Sequence, residues 1–389
     1  MAIKGGQILH VSGGFVIDRI QTGGLTGINV NEDRLEELGN VEAIGTLRDI
    51  PDLTFEIESY DVTTELESIL LGGINDEATG ALFDLALNVP INIISPFKAS
   101  GAFTVDGGVV VPYLSLESMS YSFSLGDPAT MSATLRGDSV FYVPGSVFEE
   151  AFDGDTTTGP FNFTDGPAFK STIAGLDYYA LSVTVDGVRQ KNVEHYTDTT
   201  TGVTFQAGYE PETGTGNIVI TYGSAVASTY AQGVHNVADP IGIRGRDTYL
   251  SIDGGNNWLG VQSGNIDWSV SLERDEEFGN SFIVGQDFDT PEVTGNVTMK
   301  PADVDALFAQ IQLAAGLTGT DIANATEDPP EIDVEIITVD STGATTKTWI
   351  VTDAKFTVPQ LQGSVGSKLE ADFAFSSSSG VLAVYKEDD

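Results

Sequence analysis

Residues 34–40 read "RLEELGN", and 240 positions later residues 274–280 read "RDEEFGN". The echo is longer than that phrase. Residues 28–54 align without a gap to residues 268–294, and ten of the 27 positions are identical, among them Arg34/Arg274, Gly39/Gly279, Asn40/Asn280, Gly45/Gly285, Pro51/Pro291 and Thr54/Thr294. Unrelated chains of ordinary composition would share roughly two. Conservative pairs add to the match: Ile44/Val284, Asp52/Glu292 and Leu53/Val293. The order of features repeats too, from a strand through an E-x-G-N turn, a second strand, a Pro-acid turn and a third strand to a helix. Farther along, residues 131–135 (MSATL) are read against residues 369–373 (LEADF). A repeat of this length is one supersecondary unit written twice, and it restricts the fold more tightly than any local propensity.

Inside each copy the text is that of β-structure. Segments such as "LTFEIES", "VPYLSLESMSYSFSL", "IDWSVSLE", "VTGNVTM" and "IDVEIITVD" alternate apolar and polar residues between Gly, Asp, Asn and Pro turns. Each copy carries one short helix signal. In the first, Val62, Leu66, Ile69 and Leu70 share a face, Asp61 can cap it and Gly72-Gly73 ends it. In the second, Val304, Leu307, Phe308 and Ile311 share a face between Pro301 and Gly316. Between the copies lies a segment matching neither, with strand text and an Asp186-Gly187 hairpin turn. The chain is therefore read as mainly β. It has two repeated β-sandwich or barrel domains, each with a short α-helix, at residues 1–145 and 235–389, and a small inserted β-sandwich at 146–234. As a surface insertion between units that should close by themselves, roughly residues 152–223 are expected to be dispensable for assembly.

A length of 389 residues and 41% hydrophobic content suit two or three domains with real cores. No apolar run reaches the roughly 18 residues of a membrane span, and the start "MAIKGGQILHVSGG" lacks the apolar core of a secretory signal. There is no cysteine, so neither disulfides nor thiolate metal sites are available. The formal charge is −40, from 57 acidic against 17 basic residues spread along the chain. Such a surface repels a polyanion instead of gripping it. It also suits high salt, where the Debye length shrinks to about 3 Å at 1 M.

No constellation for catalysis emerges. His10, His195 and His235 stand alone, and neither a paired-histidine zinc motif, a phosphate-binding glycine loop nor a nucleophile elbow is present. From Asp153 to Gly159 the text "DGDTTTG" has part of a calcium loop without its full pattern, and it reads first as an acidic linker. Trp258, Trp268 and Trp349 fall in the second copy within strand text and are assigned to a core or subunit interface. No catalytic, cofactor-binding or metal residue is singled out, no cofactor is expected, and the chain is not expected to be an enzyme.

The segment "IGTLRDIPDLTFEIESYDVTTELESILLGG", residues 44–73, places a turn, a "PDLTF" strand and a short amphipathic helix in succession. In this the repeated unit resembles the tail tube (major tail) protein of long-tailed double-stranded DNA viruses. The middle segment resembles small Ig-like β-sandwich modules that decorate virions. The resemblance implies a structural virion protein, made in the host cytoplasm, whose stacked rings form a hollow tail tube for DNA ejection. Six tube domains per ring would come from three two-domain chains, giving a homotrimeric ring. The implied partners are further copies of itself, tail terminator, tail-tip and tape measure proteins, and viral DNA passing without specific binding. The acidity suits a halophilic host. Two alternatives stand beside this reading: a surface-layer or adhesin-type extracellular protein of a halophile, and another virion part such as a baseplate, tail-tip or decoration subunit. A β-rich glycan hydrolase would need an acid pair in a cleft.

Overall fold

The computed structural model describes residues 11–12, 15–16, 20–29, 32–35, 45–48, 50–60, 67, 81–82, 91–100, 102–173, 175–226, 247–252, 259–275, 283, 285–300, 306–307, 309, 331–339, 345–357, 360–362 and 370–386. They form a mainly β protein. In the first copy, Ile20–Asn29 pairs with Asp52–Ser59, which pairs with Thr130–Gly137, which pairs with the long strand Ala102–Ser124, all antiparallel. In the second copy, Leu259–Ser269, Glu292–Met299, Glu370–Ser377 and Thr345–Phe356 follow one another in the same way.

The offset of 240 holds for these pairings at residues 27–29 and 267–269 and along the Thr130–Gly137 and Glu370–Ser377 ladders, while a bulge between Leu25 and Gly27, absent from the second copy, displaces residues 22–25 by one. Asn29 faces Asp52 and Ser269 faces Glu292; Ser59 faces Met131 and Met299 faces Ala371. The hairpin Glu32–Leu35/Gly45–Arg48 is matched by Leu272–Asp275/Gly285–Phe288, with Arg34 opposite Thr46 and Arg274 opposite Gln286. Of the helix residues predicted from sequence only Leu307 is described; Glu67 in the first copy and Leu307 in the second, again 240 apart, are helical and fully buried. The remaining helix signals lie outside the described residues.

Both copies bend their long strand at one point. Tyr113 and Asp353 are 240 apart, and they have φ of 58° and 52° within otherwise extended chain. The left-handed conformation is unusual for a residue with a side chain and costly for a bulky one. It accompanies a register shift in the pairing of Ile91–Ser100 with the first long strand and of Ile332–Val339 with the second. Such a bulge lets one strand leave one sheet layer and join the next. The backbone N–H of Tyr113 is held by Asn92 Oδ1 at 3.1 Å.

The alternation seen in sequence becomes burial. Leu53, Phe55 and Ile57 point inward while Glu56 and Glu58 are exposed; Val293 and Val297 point inward while Glu292, Thr294 and Asn296 are exposed. A single apolar cluster runs from Leu53, Phe55 and Met119 in the first copy to Trp268, Trp349 and Phe373 in the second. The two copies therefore share one core.

The middle segment has its own core of Val183, Val203, Phe205, Ile218, Ile220 and Tyr222 among others. One sheet pairs Ser146–Gly154, Gly214–Ser224, Ala180–Val185 and Val188–Arg189; another pairs Phe161–Asn162, Gly202–Phe205 and Tyr196–Thr199. Asp186 and Gly187, with φ of 52° and 77°, close the 180–189 hairpin in the two-residue turn expected of Asp-Gly.

Candidate assembly interface

The first copy ends its sheet on residues 118–124, and the second begins its sheet on residues 263–269. These edges pair with each other, from Ser118↔Ser269 through Tyr121↔Ile266 to Ser124↔Ser263. Hydrogen bonds continue the ladder at both ends, from Val270 N to Glu117 O at 2.9 Å and from Leu125 N to Gln262 O at 2.8 Å. The result is a run of eight consecutively paired antiparallel strands through both copies, from Ile20–Asn29 to Thr345–Phe356, within one larger sheet.

Its two faces differ in kind. At the joint, Met119, Tyr121, Ile266 and Trp268 enter the core, each essentially without exposure. Trp349 packs edge-on to Tyr121 and Phe123, with ring centroids 5.4 and 5.0 Å apart. Trp268 and Trp349 thus sit in the core at the joint, and Trp258 lies outside the described residues. On the other face are Ser118, Ser120, Ser122 and Ser124 beside Asn265 and Asp267, and Ser120 donates to Asp267. Farther out this face carries Asp52, Glu56, Glu58, Glu292 and Asp372 among serines and threonines. Two cations on this face are occupied: Lys355 lies 3.3 Å from Glu331, and the Arg136 guanidinium donates to Glu117 and Asp52, each at 2.9 Å. Those carboxylates, Glu117 first, hold Arg136 still more firmly protonated.

The repeated arginine closes the joint. Arg274, on the second copy's hairpin, donates to the Asp52 carboxylate and to the Pro51 and Gly137 carbonyls of the first copy. On the same hairpin Gln286 meets Ser115. Charge-assisted and geometrically shared, this contact is stronger than an isolated surface pair. The second occurrence of the repeated phrase thus supplies, through Arg274, half of an inter-copy clasp.

Two buried polar nodes add to it. Lys347 Nζ lies 2.5 Å from Glu67 Oε1, both fully buried, so the first copy's helix reaches into the second copy's sheet. Tyr121 donates to the same carboxylate at 2.9 Å, and the ammonium sits over the Tyr121 and Trp349 rings. The other node is Asp138, which receives Arg189 of the middle segment at 2.6 Å and the backbone N–H of Ile283 at 2.7 Å. Arg189 also lies over the Tyr113 ring, 5.3 Å from its centroid. Burial, foremost, pushes the Tyr113 phenol up. Nearby, Asn92 donates to Glu149 and Thr221, each at 2.9 Å. Ile94, Val110, Val143 and Val147 form an apolar seat under the module.

The other residues considered in sequence are placed as follows. His195 stacks on Tyr209 with centroids 4.4 Å apart, while His10 and His235 lie outside the described residues. Asp153 accepts from Gly216 N at 2.7 Å, and Asp155 from Thr157 N and Oγ1 at 3.0 and 2.6 Å. Those bonds, the hydroxyl first, lower the Asp155 pKa. Among the described residues no group of three or more metal-ligating side chains converges.

No family model and no curated protein matches the sequence. Solved structures with local likeness include the tube-terminating cap of the anti-feeding prophage, at 10% identity and a TM-score of 0.29, covering 40% of this chain and 99% of that one. A type VI secretion system effector from Yersinia pestis has 13% identity and a TM-score of 0.19, covering 36% and 100%. A further type six secretion system protein has 18% identity and a TM-score of 0.21, covering 33% and 77%.

Proposed function

We propose that this chain is a structural virion protein, a double tube subunit whose copies form stacked homotrimeric rings of a viral tail. The observation that carries the reading is the joint at residues 118–124 and 263–269, which makes two like domains consecutive staves of one sheet. Three chains then supply six staves. Residues 1–145 and 235–389 are the staves, and 146–234 is an outward module seated on the first.

The open face of this eight-stranded run becomes the tube lumen. Asp52, Glu56, Glu58, Asp267, Glu292 and Asp372 line it among hydroxyls, and Arg136 is already paired. Among the described residues the cations on this face, Arg136 and Lys355, are each paired with carboxylates, so viral DNA passing over it would find few charges to release its counterions against and would slide without adhering. The role is mechanical, not catalytic. The tube's ends would meet terminator and tail-tip proteins, and its bore a tape measure protein.

Electron microscopy of the purified protein tests this directly. Hollow rings or tubes with threefold axial symmetry and three chains per ring are expected. Monomers, flat sheets or six chains per ring would refute it.

A further inference from the structure

We propose that the seam between successive chains repeats the register of the internal joint, with Gly27 of one chain opposite Gln360 of its neighbour and Arg34 clasping the neighbour's Glu292. The proposal rests on the ring reading above and deepens it by naming the contacts.

Each copy contains both halves of a joint but uses only one within the chain. The first copy uses its downstream half: the 118–124 edge, Asp52 and the Gly137 carbonyl. The second uses its upstream half: the 263–269 edge and Arg274. The unused halves are present and keep the backbone register of the joint at residues 27–29 and 360–362, although the first strand carries a bulge between Leu25 and Gly27 that its counterpart lacks. Gln360–Gln362 pairs with Glu370–Ser377 just as residues 120–122 pair with Thr130–Gly137, since Gln360↔Asp372 matches Ser120↔Ser132 at an offset of 240. Among the described residues its other edge has no strand partner. The same holds for Ile20–Asn29, whose described partner is Asp52–Ser59 alone. An open edge is a template for another strand, and here the occupant is a second copy of this chain, because the matching edge already sits in that position inside the molecule.

Charge points to the same partner. Position 292 is the second copy's counterpart of Asp52, and it keeps the carboxylate. Asp52 has Arg136 beside it as well as Arg274, but Ser376 stands where Arg136 would be. Glu292 is exposed, lines an open cleft of about 370 Å³ beside the internal joint, and has no ion-pair partner among the described residues. Arg34 holds the clasp position in the first copy's hairpin, in the same register as Arg274. The clasp's other acceptors repeat too, as the carbonyls of Pro291 and Ser377. The interface is head-to-tail, so it closes into a ring when the rotation per domain divides the circle.

The chain has no cysteine, which makes the register testable by cross-linking. In the internal joint the counterparts of Gln360 and Gly27 are Ser120 and Asp267, whose side chains touch. The double variant Gly27→Cys/Gln360→Cys, assembled and then oxidised, is expected to give covalent dimers and trimers on a denaturing gel. Gly27→Cys/Gln362→Cys, two residues out of register, is expected to give far fewer. In parallel, Arg34→Glu and Glu292→Arg should each raise the protein concentration needed for assembly about tenfold or more, and the two together should restore it. Rings that form without the in-register cross-link, or a charge swap that rescues nothing, overturn this seam and leave the tube reading standing. Wild-type protein that forms no ring overturns both.

Discussion

Lys347 is one of the largest side chains in the molecule with no exposure at all, and its counterpart 240 residues earlier is Gly107. A buried ammonium is tolerated only with its partner in place, and breaking such a pair costs about 3–5 kcal/mol. Lys347→Met should therefore lower the unfolding free energy by about that much. Adding Glu67→Leu should recover most of the loss, because Leu already fills the equivalent position at 307. Denaturant titration of the single and double variants measures both. Arg189→Met should act similarly through Asp138, by about 3–5 kcal/mol, with Asp138→Asn partly restoring it. Neither node was legible in the sequence. Glu67 falls outside the apolar stripe of Leu66, Ile69 and Leu70 and reads as solvent-facing; what buries it is a strand 280 residues away. Periodicity reports an element's own face and is blind to a neighbour that covers the other side. The repeated arginine, by contrast, was visible at once, though not what it holds.

At the scale of strands, the two copies solve one packing problem in opposite ways. In the first, Phe55 on one strand faces Leu135 on the next; in the second, Gly295 faces Phe375. The ring has moved to the partner strand and lies over the glycine, where an added Cβ would also stand 2.7 Å from the Asn265 carbonyl. Gly295→Phe alone should overpack the core and cost about 1–3 kcal/mol, and Phe375→Leu alone should leave a void of similar cost. The double variant reproduces the first copy's pair and should be clearly less damaging than the two costs added, which a double-mutant cycle reads out. The same alternation explains one misreading. Residues 131–135 were expected against 369–373, but the ladders set Met131 opposite Ser59 and Ala371 opposite Met299, so the true match is two residues on. A slip of two leaves every apolar residue on its own face, so pattern alone cannot detect it. Nearly all of the strands were legible, because alternation is local; their joining into one sheet was not.

Over the whole molecule, a charge of −40 must be brought together several times in any assembly. Screening weakens that repulsion, so assembly followed by light scattering should strengthen from about 10 mM to 1 M salt as the Debye length falls from about 30 to 3 Å. Unchanged or weaker assembly would mean that the seams are governed by attraction between charges. The module is bound more deeply than an insertion that merely projects, since Arg189, Glu149 and Thr221 complete polar groups of the first copy. Replacing residues 146–226 with a short linker should destabilise the remainder. Combining the excision with Asp138→Asn and Asn92→Leu should recover folded protein, as judged by thermal melting. The buried Glu67–Lys347 pair, finally, gives the molecule a parity. Where a second copy's helix would meet the following first copy, the equivalent residues are Leu307 and Gly107, with no charge on either. Two first copies set side by side would bury Glu67 against Gly107, a carboxylate without a cation. In the proposed ring like copies would therefore reject one another, first and second would alternate around the circle, and an odd number of domains would have no arrangement that leaves every carboxylate answered.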